Sequence, residues 1–212
     1  MRIEDSLKIF KFDATPFVSS HTLEADTAQA LFSSPVEENS DTFISASSIT
    51  PQGVKDKSVL KNAPSPDIVI AGEKKKAGIV VDISTNILYR YDKDGNPINA
   101  YLIASGKKST PTDKGARIVT HTEKYPYRSA IGTKRKRNPK DYGPFAIILK
   151  KIDVKTGEQS KTGEFIHGCR SYEKTFESTP DRYVSHGCMR MDNNVIKELA
   201  PTVEKGEIVI IK

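Results

Sequence analysis

The strongest constraint on the fold is a series of short β-branched segments that begins at residue 78. Residues 78–83 and 86–91 are rich in Val, Ile, Leu and Tyr, and residues 98–104 continue the pattern. Such residues favour the pleated backbone of a sheet, and Asp94-Gly95 is typical of a hairpin turn. The pattern therefore predicts an antiparallel meander. Further strands are predicted at residues 116–121, 145–154, 163–167 and 207–211.

One helix is predicted near the C-terminus. Asp192 is a suitable N-cap because its carboxylate can accept a hydrogen bond from the first turn. Val195, Ile196 and Leu199 follow at helical spacing, and Pro201 ends the pattern. The fold class is therefore predicted to be mainly β, a β-sandwich or mixed sheet with one or two short helices.

Residues 1–75 differ in composition from the rest of the chain. They include an acidic polar stretch at 33–41, a Ser/Thr-rich run at 45–51 and two prolines, Pro64 and Pro66. Such a segment buries too little apolar surface to offset its chain entropy. We therefore predict a largely disordered tail at 1–75 and a folded domain at 77–212.

Charge is distributed unevenly between these two parts. Residues 1–72 carry a net charge of −4, which leaves +10 on residues 73–212. A basic domain is compatible with an anionic partner such as nucleic acid or a cell-wall polymer, and equally with a solvated surface. The densest basic run, Lys134-Arg135-Lys136-Arg137, has no interleaved aromatic residues, so we interpret it as an exposed loop. No nucleic-acid partner is predicted.

Neither a membrane span nor an export signal is predicted from the sequence. No apolar run approaches the ~18 residues that a membrane helix needs. The first residues, Met1-Arg2-Ile3-Glu4-Asp5, are acidic where a secretory signal is basic.

The residues best suited to catalysis or metal binding lie in two His-Gly-Cys triplets, His167-Gly168-Cys169 and His186-Gly187-Cys188. A cysteine thiolate activated by a histidine is a competent acyl-transfer nucleophile. A Cys₂His₂ zinc site is an alternative, although its ligands usually have closer spacing. Buried, unreactive cysteines are a third interpretation, and the spacing alone does not decide between this and catalysis. His21 and His121 are predicted to have no catalytic role.

The segment Ser185-His186-Gly187-Cys188-Met189-Arg190 resembles the signature of the L,D-transpeptidase catalytic domain, also called YkuD. In that family an upstream histidine precedes Ser/Thr-His-Gly-Cys by 14–17 residues, and here 17 residues separate His167 from Ser185. The resemblance extends over residues 77–212. It includes residues 79–89, Gly106, Pro111-Thr112-Asp113-Lys114-Gly115, residues 163–168 and residues 205–210.

The resemblance implies a role for each motif residue. Cys188 would be the nucleophile, and His167 the proton acceptor and donor, its ring oriented by the Gly168 carbonyl. Ser185, His186 and Gly187 would support the oxyanion site together with the Cys188 backbone. This site would need no metal and no other cofactor.

Three further residues have more than one interpretation. Arg190 would hold the loop or bind a substrate carboxylate. Tyr142 would contribute to the oxyanion site or the substrate pocket, or be an ordinary loop tyrosine. Position 169 is usually Thr or Ser in the family, whereas this chain has Cys169. Cys169 would be a small buried residue or a redox partner of Cys188.

The resemblance implies an enzyme that acts on peptidoglycan stem peptides in the cell envelope and forms 3→3 cross-links through a Cys188 thioester. With water as acceptor, the same site would be an L,D-carboxypeptidase. A non-catalytic module that binds cell-wall peptide is the alternative from another functional class.

Overall fold

The computed structural model describes residues 49–50, 53–54, 57–125, 127, 139–170 and 182–212. All of them belong to the unit Thr42–Lys212. The strands in this part of the chain are β1 (Ile49–Thr50), β2 (Gly53–Val54), β3 (Asp67–Ile70), β4 (Glu73–Lys76), β5 (Ile79–Asp82), β6 (Ile87–Tyr91), β7 (Pro97–Leu102), β8 (Ser105–Gly106), β9 (Gly115–Lys124), β10 (Phe145–Ile152), β11 (Gln159–His167), β12 (Tyr183–Ser185), β13 (Met189–Arg190) and β14 (Ile208–Ile211). The helix α1 is Asn193–Leu199, and 3₁₀ helices occur at Lys57–Asn62, Pro139–Tyr142 and Ala200–Thr202.

A mixed sheet forms the centre of the fold, with its strands in the order β13-β11-β10-β9-β14-β5-β6-β7. Most neighbours are antiparallel, but β14 pairs in parallel with β5, and β13 pairs in parallel with β11. The shorter sheets are β1 with β2, β3 with β4, and β8 with β12. The prediction of a mainly β fold is therefore confirmed. Each predicted strand coincides with an observed one, although β9 and β11 are longer than predicted.

Both faces of the central sheet are covered by apolar side chains. On the face that we call the helix face, Ile79, Val81 and Val209 form a buried cluster with residues of α1. On the opposite face, the hairpin face, Val80 and Tyr89 are buried in a second cluster with residues of β3. The alternation follows from the two-residue repeat of a strand, because successive side chains point to opposite sides.

The helix α1 confirms the predicted cap and apolar stripe. The Asp192 carboxylate accepts a hydrogen bond of 2.8 Å from the Asn194 N–H. Val195, Ile196 and Leu199 are buried in the helix-face cluster. Pro201 lies in the 3₁₀ helix that follows, where α-helical hydrogen bonding has ended.

Part of the segment predicted as tail is structured. The 3₁₀ helix Lys57–Asn62 and the β3–β4 pair lie before residue 75, and Val59 and Ile70 are buried. The polar average composition of residues 1–75 conceals the short β-branched run Ile68-Val69-Ile70, and Val59 is buried in a cluster with residues distant along the chain. Residues 1–48 and the basic run at 134–137 lie outside the described residues.

An irregularity in β11 shapes the edge of the sheet next to β13. Ile148 of β10 pairs with Phe165, whereas Lys150 pairs with Lys161, so residues 162–164 oppose the single residue Leu149. Extra residues of this kind bend a strand and redirect its side chains, often beside functional sites. The bulge places the Gly163 carbonyl oxygen where it accepts a hydrogen bond from Cys188.

We predict that Gly106→Ala destabilises the fold by about 1–3 kcal/mol, because an added methyl group would overpack the contact between β8 and residues 110–112. A Cβ at this position would lie 2.4 Å from the Thr110 carbonyl oxygen and 2.5 Å from the Thr112 nitrogen. Urea unfolding monitored by circular dichroism measures the change. Gly163→Ala is the control, since no atom lies within 4 Å of its added Cβ. Equal stability of the two variants would contradict the prediction.

Candidate active site

His167 lies at the end of β11 and is almost completely buried, with 3% of its surface exposed. Its Nδ1 is 2.5 Å from the Gly168 carbonyl oxygen. A carbonyl oxygen can only accept a hydrogen bond, so Nδ1 must carry the hydrogen. In the neutral ring, Nε2 is therefore the basic nitrogen. The structure thus holds His167 in the tautomer that a general base requires.

Cys188 directly precedes β13, next to the bulge of β11. Its Sγ donates a hydrogen bond of 3.6 Å to the Gly163 carbonyl oxygen. Ile166 pairs with Met189, and both side chains are buried in the helix-face cluster. Because side chains alternate along a strand, Cys188 and His167 are placed on the hairpin face of the two neighbouring strands. The pairing therefore brings the predicted nucleophile and base to one side of the sheet.

The hydroxyl group of Ser185 fixes the loop that carries Cys188. It accepts a hydrogen bond of 3.0 Å from the Gly187 N–H and donates one of 2.6 Å to the Cys188 carbonyl oxygen. Gly187 has φ +112°, a conformation that side chains disfavour. The Gly187 N–H is thus engaged within the loop, so binding an oxyanion there would require this bond to break.

Thr112, part of the Pro-Thr-Asp-Lys-Gly stretch, supports the same loop from outside. Its hydroxyl group accepts from the Gly106 N–H and donates to the Gly187 carbonyl oxygen, both at 2.9 Å. Thr110 donates to the Ser185 carbonyl oxygen at 3.1 Å. The turn that follows β8 is therefore tied to both ends of the Ser-His-Gly segment.

A buried ion pair lies beside this loop. Arg117 donates to the Glu164 carboxylate through Nη2 at 2.8 Å and Nε at 3.1 Å. The same carboxylate accepts from the Asp113 N–H and the Thr162 hydroxyl group. Glu164 follows Gly163, the acceptor of the Cys188 thiol, so this network holds the bulge of β11 against the turn that contains Thr112.

Tyr142 forms an aromatic wall beside His167. The ring centroids of Tyr142 and His167 are 4.8 Å apart, and those of Tyr142 and Phe165 are 6.1 Å apart. Tyr127 donates to the Gly143 carbonyl oxygen at 2.7 Å, and burial raises the pKa of Tyr127, which keeps this donor protonated. Tyr142 is 5% exposed and packs against His167, and its role in a substrate pocket stays a prediction.

Asn193, at the start of α1, holds the backbone that follows His167. Its Oδ1 accepts from the Cys169 N–H at 3.0 Å, and its Nδ2 donates to the Cys169 carbonyl oxygen at 2.8 Å. A Cβ added at Gly168 would lie 2.4 Å from this Oδ1. Asn193 therefore fixes the position of Gly168, whose carbonyl group orients His167.

The remaining predicted residues are Arg190, His186 and Cys169, and they differ in position and exposure. Arg190 pairs with His167 in the β11–β13 register, and its buried Nε has no hydrogen-bond partner among the described residues. His186 is exposed, and no hydrogen bond of its side chain is found among the described residues. Cys169 and Cys188 are both buried thiols.

Sequence reasoning missed Asn193, Arg117 and Glu164. Asn193 stands directly after the predicted cap, so its amide resembles an ordinary helix-start residue. Arg117 and Glu164 are 47 positions apart, and no local pattern indicates that two charged residues meet in the interior.

The described residues contain neither a candidate metal cluster nor a candidate membrane-spanning helix. These residues contain no group of three or more His, Cys, Asp or Glu side chains that could hold a metal ion. Among their helices, none has the length and apolar character needed to cross a membrane.

Comparisons with known proteins agree with the sequence resemblance. The model of the family described as "YkuD: L,D-transpeptidase catalytic domain" matches residues 76–211. No curated protein matches the chain.

Similar solved structures include the L,D-transpeptidase catalytic domain of Enterococcus faecium, with 27% identity and a TM-score of 0.41, over 65% of this chain and 98% of that one. A cysteine-to-serine mutant of the E. faecium L,D-transpeptidase has 24% identity and a TM-score of 0.43, over 64% of this chain and 49% of that one. An L,D-transpeptidase of Mycobacterium tuberculosis has 16% identity and a TM-score of 0.46, over 65% of this chain and 58% of that one. The match thus spans about half of the E. faecium mutant chain.

We predict that Glu164→Ala lowers the free energy of unfolding by about 3–5 kcal/mol, because it leaves the Arg117 guanidinium buried without its counter-ion. The side chains of this pair are only 2% and 11% exposed. Chemical unfolding monitored by circular dichroism measures the loss. Glu158→Ala, at an exposed turn residue, serves as control and should change stability by no more than about 0.5 kcal/mol. A similar small change for Glu164→Ala would contradict the role of the ion pair.

We also predict that Asn193→Ala raises the pKa of the Cys188 thiol, because a less constrained His167 stabilises the thiolate less. The pH dependence of iodoacetamide labelling measures this pKa, and peptide mass spectrometry separates Cys188 from Cys169. Asn194→Ala, at the exposed neighbouring position, is the matched control and should leave the midpoint unchanged. If Asn193→Ala lowers stability without moving the midpoint, Asn193 has only a structural role.

Proposed function

We propose that this chain, which belongs to the L,D-transpeptidase catalytic domain family, also called YkuD, is a cysteine acyl-transferase that acts on peptidoglycan stem peptides. The observation that carries the proposal is the parallel pairing of β11 with β13. By the alternation of side chains, this pairing puts the Cys188 thiol and the His167 imidazole on the same face of adjacent strands.

His167 would activate the thiol. A cysteine has a pKa of about 8.5 in water, and a neighbouring imidazolium lowers it. Since Nδ1 donates to the Gly168 carbonyl oxygen, Nε2 is left to accept the proton of Cys188. Packing of the Tyr142 ring against His167 restrains the rotation of the imidazole. The base is thus oriented before substrate binds.

The first step forms a thioester and releases an amine. The Cys188 sulfur attacks the carbonyl carbon that joins an L-centre, such as that of meso-diaminopimelate, to a terminal D-alanine. The tetrahedral intermediate then collapses, the C–N bond breaks, and the His167 imidazolium protonates the departing D-alanine nitrogen. The acyl group remains bound to the Cys188 sulfur.

In the second step, a side-chain amine of another stem peptide attacks the thioester. His167 accepts a proton from this amine, the C–S bond breaks, and the product is a 3→3 cross-link with Cys188 restored. If water attacks instead, the same site acts as an L,D-carboxypeptidase. Both outcomes use the same acyl-enzyme.

Arg190 is the residue that we assign to a substrate carboxylate. Its guanidinium suits bidentate carboxylate binding, and its Nε has no hydrogen-bond partner among the described residues. The pairing of Arg190 with His167 places this cation beside the proposed base. We propose a location in the cell envelope, where peptidoglycan lies.

We expect Cys188→Ala to abolish thioester formation and cross-linking, with a loss of at least about 1,000-fold in turnover, because the nucleophile is removed. The assay incubates the full chain with purified disaccharide tetrapeptides and identifies cross-linked dimers, released D-alanine and the acyl-enzyme by mass spectrometry. Cys169→Ser is the matched control and should retain activity.

Two results would contradict the proposal. Undiminished cross-linking by Cys188→Ala would exclude Cys188 as the nucleophile. Wild-type protein that binds stem peptide but gives neither product nor acyl-enzyme would favour a non-catalytic binding module.

A further inference from the structure

An open groove of about 690 Å³ crosses strands β9, β10 and β11. Its floor includes Ile118, Ile148 and Phe165, which are only half-buried. Its rim includes Lys150, Lys161 and Lys205. Ile148 and Phe165 pack with Tyr142 and Ala146, outside the helix-face cluster, so the groove lies on the hairpin face. This is the face on which the register places Cys188.

The groove is a gap between two covered regions of that face. Ile118 packs against the cluster that includes Ile70 of β3, whereas Ile148 and Phe165 pack against the cluster of Tyr142. No described element covers the side chains between these two clusters. An apolar strip of this kind, rimmed by polar side chains, is typical of a binding surface.

Among the described residues, no carboxylate neutralises the cations at the rim. None of Lys150, Lys161 and Lys205 has a carboxylate within 4.0 Å among the described residues, whereas the neighbouring Lys151 is paired with Asp113. Three lysines along one apolar strip create a positive potential that favours a ligand with carboxylates.

One end of the groove lies next to the bulge of β11 that adjoins the candidate active site. Thr162 and Phe165 line the groove, and Gly163 lies between them in the sequence. The Gly163 carbonyl oxygen accepts a hydrogen bond from the Cys188 thiol. Phe165 also contacts Tyr142, which packs against His167. A ligand extended along the groove therefore ends next to the bulge of β11, whose Gly163 carbonyl oxygen accepts a hydrogen bond from Cys188.

We infer that this groove binds the donor stem peptide, with its backbone along the apolar strip and its carboxylates against the three lysines. From β11 to the residues before β14 the groove crosses three strand spacings, about 14 Å in total, which accommodates about four extended residues. This inference rests on the proposed function, because it names the substrate of the same site. It adds the recognition surface that selects an anionic peptide.

The test measures binding separately from catalysis. Full-length Cys188→Ala protein is titrated with a synthetic stem tetrapeptide and with the same peptide after amidation of its carboxylates, using calorimetry. Lys161→Glu/Lys205→Glu reverses two exposed charges at the rim. Lys155→Glu/Lys197→Glu makes the same change in net charge at exposed sites that do not line the groove.

We expect the rim variant to raise Kd for the tetrapeptide about tenfold or more, because like charges repel across the interface. Amidation should weaken binding to the Cys188→Ala protein to a similar extent. The control variant should stay within about twofold of that protein. With Cys188 present, the rim variant should raise KM and leave kcat unchanged, as expected for lost ground-state binding. Urea unfolding of both variants verifies that they are folded.

Three results would overturn the inference or separate it from the proposed function. Unchanged Kd and KM in the folded rim variant exclude the groove as the peptide-binding surface and leave the enzyme assignment intact. If the rim variant loses binding and the wild-type protein gives no product, the groove is supported as a peptide-binding surface and the enzyme assignment is contradicted. Tighter peptide binding by the rim variant also overturns the inference, because the lysines would then oppose an anionic ligand instead of attracting it.

Discussion

The parallel pairing of β13 with β11 is the constraint on which the candidate site depends. Ile166 and Met189 are fixed in the helix-face cluster, and alternation then sends His167 and Cys188 to the opposite face. A shift of β13 by one residue in this register would exchange the faces of Met189 and Cys188 while β11 stayed in place. The placement of the proposed nucleophile and base on one face is therefore set by apolar packing on the other side of the sheet.

Such a short edge strand needs support from polar contacts, because β13 has only two residues. Ser185 and Thr112 bond the loop before it, and the Arg117–Glu164 pair holds the adjoining bulge. A buried polar group without a partner costs about 1–3 kcal/mol, so a loop held by several satisfied groups has few alternative arrangements. This polar network complements the apolar cluster by fixing the backbone on either side of Cys188.

The sequence predicts the strands, the Asp192 cap and the residues of the Ser-His-Gly-Cys motif, because these depend on local periodicity or adjacent positions. It predicts poorly what depends on distant segments. The pairing of Arg117 with Glu164 is one example, and the burial of Val59 and Ile70 within the expected tail is another. The oxyanion role assigned to the Gly187 N–H stays a prediction, since the structure engages that group with Ser185.

The contacts of Asn193 also bear on the unusual cysteine at position 169. Asn193 bonds the N–H and carbonyl groups of Cys169, and neither bond involves the thiol. Thr, Ser or Cys at position 169 would each leave these two backbone hydrogen bonds, which we call the Asn193 clamp, intact. These backbone bonds are therefore compatible with the departure from the family pattern, and the redox role of Cys169 stays a prediction. What the clamp does require is glycine at position 168, because a Cβ there would collide with the Asn193 amide that orients the carbonyl group bonded to His167.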